Sequence, residues 1–244
     1  NVMKKLERIL TRLTAEHKRS SFETFACEKR VGRNPGDIPS VVLPLSSGSV
    51  SMGGVADRID VFHGEEGDFF RILDYKTKAD RKVFSDEYIR AGMDMQVLMY
   101  LCAVVENFEK ALPARVSYIK ANSRPVPVSR TDTEANKLAA LKNDECPKKQ
   151  GITLDNAEVI AALDENNRYS SSPELYGTEK ISGEALEEKC RAVKETLRSF
   201  GERIKSGDFP KKIPDIKFEN NDHPCEHCNY RNYCKKAKGG NENA

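Results

Sequence analysis

Residues 53–80 read GGVADRIDVFHGEEGDFFRILDYKTKAD, and the rest of the chain can be placed around this stretch. Two apolar runs, VADRIDVF and FFRILDYK, are separated by HGEEGD, whose glycines and acids are typical of a turn. The stretch therefore predicts two neighbouring antiparallel strands. Asp74 and Lys76 close the second strand and share one face of it, because side chains alternate along a strand, with their backbones roughly 7 Å apart. Asp57, on the first strand, can lie beside them.

Two acids and a lysine at one end of a sheet are the groups that metal-assisted phosphodiester hydrolysis requires. Carboxylates bind hard divalent cations such as Mg²⁺, and the backbone carbonyl of Tyr75 is a further candidate ligand. Lys76 is placed to orient a water molecule or to stabilise charge on the phosphorus. An Asp–Lys pair alone is more often an ordinary surface ion pair. However, the apolar run before Asp74 indicates a central strand. Packing alone gives no reason for charged residues at the end of such a strand.

The composition limits the classes of protein that this chain can belong to. It has 244 residues, 38% of them hydrophobic and 32% charged, which suits one domain or one domain with an appendage. Its net charge is only +2, so any surface for nucleic acid must be local. No apolar run approaches the roughly 20 residues of a membrane span, and no signal peptide opens the sequence. We therefore expect a cytoplasmic protein without a membrane partner.

Periodicity predicts the order of the other elements. The chain opens on an amphipathic helix with no initiator Met, which indicates a fragment that lacks part of its active site. Residues 27–76 predict a meander of three to five strands, residues 86–108 a helix and residues 114–121 a strand. Residues 122–170 are interpreted as an insertion made of a surface loop and a short helix. A long helix is predicted from Ser182 to Ser206. The apolar stripe of the first helix comprises Leu6, Ile9, Leu10 and Leu13. The buried face of the long helix is predicted to comprise Leu186, Val193, Leu197, Phe200 and Ile204.

Three short motifs in this order resemble the RecB-like branch of the PD-(D/E)xK nucleases. They are G-x-x-D-R-x-D from Gly54 to Asp60, L-D-Y-K-T from Leu73 to Thr77, and Q-x-x-x-Y from Gln96 to Tyr100. The closing C-x2-C-x5-C is similar to that of the C-terminal nuclease domain of AddB-type helicase–nuclease subunits, and Cas4-like exonucleases share a similar ending. The resemblance covers about residues 1–236.

The resemblance implies an α/β fold with a restriction-endonuclease-like core, in which helices flank a central mixed β-sheet and a cysteine-rich segment follows. It implies a nuclease domain over residues 1–218, a cysteine knuckle over 219–236 and a disordered tail over 237–244. Asp57 and Asp74 would be the ligands of Mg²⁺ or Mn²⁺, with Lys76 as the catalytic lysine and Gln96 as an active-site glutamine. Tyr75 and Tyr100 would support the site. Asp60, three residues from Asp57, should face the other way and is interpreted as a supporting acid that pairs with Arg58.

The three closing cysteines are Cys225, Cys228 and Cys234. In a cytoplasmic protein such clustering indicates metal binding rather than disulfides. The resemblance implies a 4Fe–4S cluster in the full-length protein, with a fourth cysteine far upstream and therefore an incomplete site here. Zinc bound with help from His223 or His227, or free thiols, are the alternatives. The family's upstream metal-binding histidine or glutamate has no clear match, because His17 lacks the surrounding motif.

We therefore predict a metal-dependent DNA exonuclease or nuclease domain that acts on single strands or duplex ends. The resemblance implies a role beside a helicase partner in an AddAB-type complex for double-strand-break repair and recombination. The basic residues of 76–82, with Arg90 and Lys120, are candidates to follow a DNA backbone. One alternative is a catalytically incomplete, nuclease-like DNA-binding module. Another is a docking domain in which the Asp–Lys pair is incidental.

Overall fold

The computed structural model describes residues 2–76, 84–120, 129–136, 150–164, 178–208, 228–230 and 232–233. Nine strands and five helices lie in these ranges. The strands are β1 Glu23–Gly32, β2 Ile38–Pro39, β3 Val42–Pro44, β4 Ser49–Ser51, β5 Gly54–His63, β6 Asp68–Lys76, β7 Ala111–Lys120, β8 Gln150–Leu154 and β9 Thr178–Ile181. The helices are α1 Val2–His17, α2 Asp86–Arg90, α3 Gln96–Asn107, α4 Ala157–Leu163 and α5 Gly183–Ser206.

Seven of the strands form one mixed sheet in the order β2-β1-β5-β6-β7-β8-β9, and β3 pairs with β4 in a separate ribbon. β5 runs antiparallel to both β1 and β6, and β7 runs antiparallel to β8. The β1–β2, β6–β7 and β8–β9 pairs are parallel. This mixed sheet with flanking helices confirms the predicted α/β class.

Strand β6 lies at the centre of the sheet, and both of its faces are covered. Phe70 and Ile72 pack into a core shared with α2, α3 and α5, while Phe69 packs into a second core with α4. This two-sided burial explains why the FFRIL run is almost continuously apolar, as strands covered on both faces usually are. The charged end of β6 is therefore anchored by a buried strand.

The predicted helix over residues 86–108 is in fact two helices. Ser85 caps the first, because its hydroxyl accepts a hydrogen bond from the Tyr88 amide. The backbone then enters the left-handed region at Gly92 (φ +82°) and Asp94 (φ +55°), which ends regular helical hydrogen bonding. The second helix begins afresh at Gln96. The break therefore places Gln96 in a first helical turn rather than in the middle of a helix.

The long C-terminal helix is largely as predicted. Ser182 is its N-cap and accepts a hydrogen bond from the Ala185 amide, and Gly207 (φ +70°) ends it. Leu186 and Val193 are buried, but the assignment of Ile204 to the buried face is wrong, since that side chain is 63% exposed. The predicted first helix is also present as α1, and Leu6 and Leu10 of its apolar stripe are exposed.

Part of the segment interpreted as an insertion belongs to the central sheet. β8 lies between β7 and β9, and α4 buries Val159 and Leu163 in the second core. Strand β8 is not among the predicted elements, because its short run ITL is too brief to establish a period of two. Residues 121–128, 137–149 and 165–177 of the predicted insertion and its surroundings lie outside the described residues.

Candidate active site

The two motif acids lie on adjoining strands at the same end of the hairpin. Regular pairing of β5 with β6 continues as far as Arg58 opposite Leu73, so Asp57 and Asp74 are the next residues on each strand. Asp57 Oδ2 accepts a hydrogen bond of 2.8 Å from the backbone amide of Tyr75. The carboxylate of β5 is thereby held directly against the end of β6.

Lys76 completes this group. Its Nζ lies 2.7 Å from Asp74 Oδ2 in an ion pair, with the lysine side chain 39% exposed and the aspartate side chain 6% exposed. The ammonium also lies 5.3 Å from the centroid of the Tyr118 ring. One end of the sheet thus combines a buried carboxylate, a second carboxylate and a lysine that is open to solvent.

The environment of Asp74 suits a bound cation. Burial raises the pKa of this carboxyl, the nearby charge of Asp57 raises it further, and the ammonium of Lys76 opposes both. The Lys76 ammonium lies 2.7 Å from Asp74 Oδ2, and Asp57 lies beside Asp74 on the neighbouring strand. Two carboxylates at one end of a sheet are chemically suitable ligands for Mg²⁺ or Mn²⁺. The residues present therefore fit a divalent metal.

The start of α3 is packed against the start of β5. Gln96 Nε2 donates a 2.8 Å hydrogen bond to the hydroxyl of the buried Tyr100. That hydroxyl lies so close to Gly54 that a Cβ atom there would be 2.0 Å from it. The glycine of the G-x-x-D motif thus makes room for a tyrosine of α3. As a result, the exposed Gln96 is tied through Tyr100 to the start of β5.

Asp60 is turned away from the two acids of the site. It is fully buried and accepts 2.7 Å hydrogen bonds from Arg58 Nε and Arg71 Nε. The pairing of Asp60 with Arg58 is the one that the sequence predicts. Its second partner, Arg71, is not among the predicted site residues, although a charged residue inside the apolar FFRIL run is a visible anomaly.

Sequence reasoning also misses Glu16. This residue lies in the last turn of α1, is 3% exposed and forms an ion pair with Arg71. Nothing in the local pattern of α1 distinguishes Glu16 from Glu7, the other acid of that helix, since only packing on the sheet buries Glu16.

Several other predicted site residues lie apart from the site or cannot be placed. Cys225, Cys234, His223 and His227 are outside the described residues, and Cys228 is exposed. His17 is exposed at the end of α1, and the exposed His63 contacts Asp68 at 2.6 Å. Residues 77–83 of the basic segment and the Lys120 side chain are not described, while Arg90 is exposed.

Among the described residues, no group of three or more His, Cys, Asp or Glu side chains is arranged to hold a metal ion. The same ranges contain no helix with both the length and the hydropathy of a membrane span.

The fold and the converging acids and lysine place the chain in the class of nucleases. It belongs to the PD-(D/E)XK nuclease superfamily, whose family model matches residues 2–235. The chain is similar to three proteins that are each named as the B-type subunit of an ATP-dependent helicase/deoxyribonuclease. It is 29% identical to the one from Alkaliphilus oremlandii (97% of this chain, 21% of the relative), 30% to the one from Listeria welshimeri (94% and 21%) and 28% to the one from Ruminiclostridium cellulolyticum (98% and 22%). The chain therefore spans about a fifth of the length of these relatives.

Proposed function

We propose that this chain is a metal-dependent DNA nuclease domain that hydrolyses phosphodiester bonds in single strands or at duplex ends. The observation that carries the proposal is the convergence of Asp57, Asp74 and Lys76 where β5 and β6 meet. Membership of the nuclease superfamily and the deoxyribonuclease names of the relatives support it.

The proposed mechanism assigns a separate task to each side chain. Asp57 and Asp74, with the Tyr75 carbonyl, would hold Mg²⁺ or Mn²⁺, which when bound supplies an activated water and neutralises phosphate charge. Lys76, partly open to solvent, donates to a phosphate oxygen and stabilises the charge that develops there. Gln96 uses its amide nitrogen on Tyr100, which leaves its carbonyl oxygen to accept a hydrogen bond from the attacking water.

We further propose that the domain works within an AddAB-type helicase–nuclease, in the cytoplasm, during double-strand-break repair and recombination. A helicase would be its partner. The full-length protein would bind a 4Fe–4S cluster through Cys225, Cys228, Cys234 and a fourth cysteine far upstream. The support is the name of the relatives and the spacing of the three cysteines. The iron content and absorbance spectrum of the full-length protein, purified without oxygen, test the cluster.

The nuclease proposal is tested by incubating the purified chain with end-labelled single-stranded and blunt duplex DNA, with Mg²⁺, Mn²⁺ or EDTA. Cleavage should require the metal, and Asp74→Asn or Lys76→Ala should each reduce it at least about 100-fold. Asp68→Asn is the matched control, since Asp68 is an acid at the opposite end of the same strand. Undiminished cleavage by Asp74→Asn would refute the assignment.

The second candidate is a nuclease-like domain that binds DNA without cutting it. It is favoured by the lack of any group of three potential metal ligands among the described residues. A version of the chain extended at its N-terminus should then also fail to cleave, while both versions bind single-stranded DNA in an anisotropy titration. Metal-dependent cleavage by either version excludes this alternative.

A further inference from the structure

The residues that follow the two acids contact each other on the opposite face of the sheet. Arg58 follows Asp57 and Tyr75 follows Asp74, so both side chains point away from the carboxylates. The Arg58 guanidinium lies beside the Tyr75 side chain, where it opposes the rise that burial causes in the pKa of the tyrosine. On the other face, the Tyr75 amide donates to Asp57. The dipeptides Asp57–Arg58 and Asp74–Tyr75 are therefore joined on both faces of the sheet.

Asp60 fixes the arginine end of this connection. Its Oδ1 accepts from Arg58 Nε and its Oδ2 accepts from Arg71 Nε, both at 2.7 Å. All three residues are buried, with Asp60 at 0% and Arg71 at 1% exposure. A carboxylate shared by two buried arginines leaves each guanidinium little freedom to turn, since any rotation separates buried charges at high cost.

Helix α1 supplies a second carboxylate to this buried group. Glu16 Oε1 lies 3.3 Å from Arg71 Nη2, and the Arg71 guanidinium lies 4.8 Å from the centroid of the Phe22 ring. Two carboxylates and two guanidiniums thus meet in one buried group. A hydrophobic replacement could provide comparable stability, so stability alone does not account for these ionic contacts. They do form a continuous chain of contacts from α1 to the strand ends that carry Asp57 and Asp74.

We propose that Glu16, Arg71, Asp60, Arg58 and Tyr75 form a positioning network that holds Asp57 and Asp74 at the spacing needed to bind a divalent cation. The inference rests on the proposed function and deepens it. None of the five side chains would itself contact the cation. They act through the backbones of β5 and β6, as residues behind metal ligands commonly do, and such residues typically change metal affinity by about 10–100-fold.

The test uses Tyr75→Phe, which removes one hydroxyl and leaves the ring in place. Binding of Mn²⁺ alone is measured by electron paramagnetic resonance, and the Mn²⁺ dependence of DNA cleavage is measured in parallel. Tyr75→Phe and Glu16→Gln should each raise the Mn²⁺ dissociation constant about 10-fold, with DNA affinity unchanged. Tyr88→Phe, at a buried tyrosine of α2 outside the network, should leave Mn²⁺ binding unchanged.

A merely structural role predicts a different pattern. If both network variants lower the melting temperature but bind Mn²⁺ like the parent chain, the inference is overturned while the proposed function stands. A parent chain that neither binds Mn²⁺ nor cleaves DNA overturns the proposed function, and the inference falls with it.

Discussion

Replacing Gly54 with alanine should force apart α3 and β5, the two elements that carry Gln96 and Asp57. Gly54 is not among the residues with a positive φ angle, so alanine is compatible with its backbone. The obstacle is space alone. A Cβ atom at this position would be 2.0 Å from the Tyr100 hydroxyl, 3.1 Å from Cζ and 3.4 Å from Cε1.

The size of the effect follows from these three distances. The hydroxyl must retreat by roughly 1.5 Å to reach an ordinary contact of about 3.5 Å. Tyr100 is 1% exposed and cannot move that far without disturbing its neighbours in the core. Overpacking costs about 1–3 kcal/mol and the lost hydrogen bond to Gln96 about 1 kcal/mol, so Gly54→Ala should lower the free energy of unfolding by about 2–4 kcal/mol.

A second substitution isolates the cause. In Gly54→Ala combined with Tyr100→Phe the hydroxyl is gone, and the nearest ring atom is already 3.1 Å away, so a shift of a few tenths of an ångström suffices. The double variant should therefore recover more than half of the loss in urea denaturation followed by circular dichroism. Gly183→Ala is the control, because its Cβ would meet only Leu154 at 3.8 Å. A double variant no more stable than Gly54→Ala would refute the reasoning.

Three further predictions concern the core, the acid and the thiols. Leu186→Ala should lower the free energy of unfolding by about 2–5 kcal/mol, whereas Ile204→Ala should change it by less than about 0.5 kcal/mol in the same urea assay. Because burial raises the pKa of Asp74 above 3.8, the folded chain binds this proton more tightly, and stability should fall as pH rises from 3.8 through the folded-state value. Asp74→Asn should remove that fall and stabilise the chain at neutral pH, as urea titrations across pH will show. Hydrogen bonding between the thiols lowers the pKa of Cys190 and raises that of Cys102, so iodoacetamide should label Cys190 first, as followed by peptide mass spectrometry.

Each of these predictions has an outcome that would contradict it. Equal losses in the leucine and isoleucine variants would mean that α5 packs through a different face. If Asp74→Asn lowers stability at neutral pH, the ion pair with Lys76 outweighs the cost of burying the carboxylate. Earlier labelling of Cys102 would show that the cavity of about 390 Å³ beside the two thiols exposes α3 rather than α5.

Much of the fold could be predicted from local patterns. The alternation on either side of HGEEGD predicts β5 and β6, and Ser182 predicts the start of α5, because both depend on interactions within a few residues. The pairing that brings Asp57 beside Asp74 follows from the same hairpin. The site residues that could be inferred from sequence are thus those whose positions depend on one turn and two strands.

Only the tertiary structure decided the rest. Whether a charged residue of a helix or a strand faces water or another charge depends on segments far away along the chain. Glu16 meets Arg71 across 55 positions of sequence, and no periodicity within α1 or β6 carries that information. At the break before Gln96, a Cβ atom on Gly92 would lie 2.4 Å from Phe200 Cε2 of α5, a contact that the local sequence does not disclose. The sequence by itself determined which side chains could do chemistry at the ends of β5 and β6, and long-range packing decided which buried charges stand behind them.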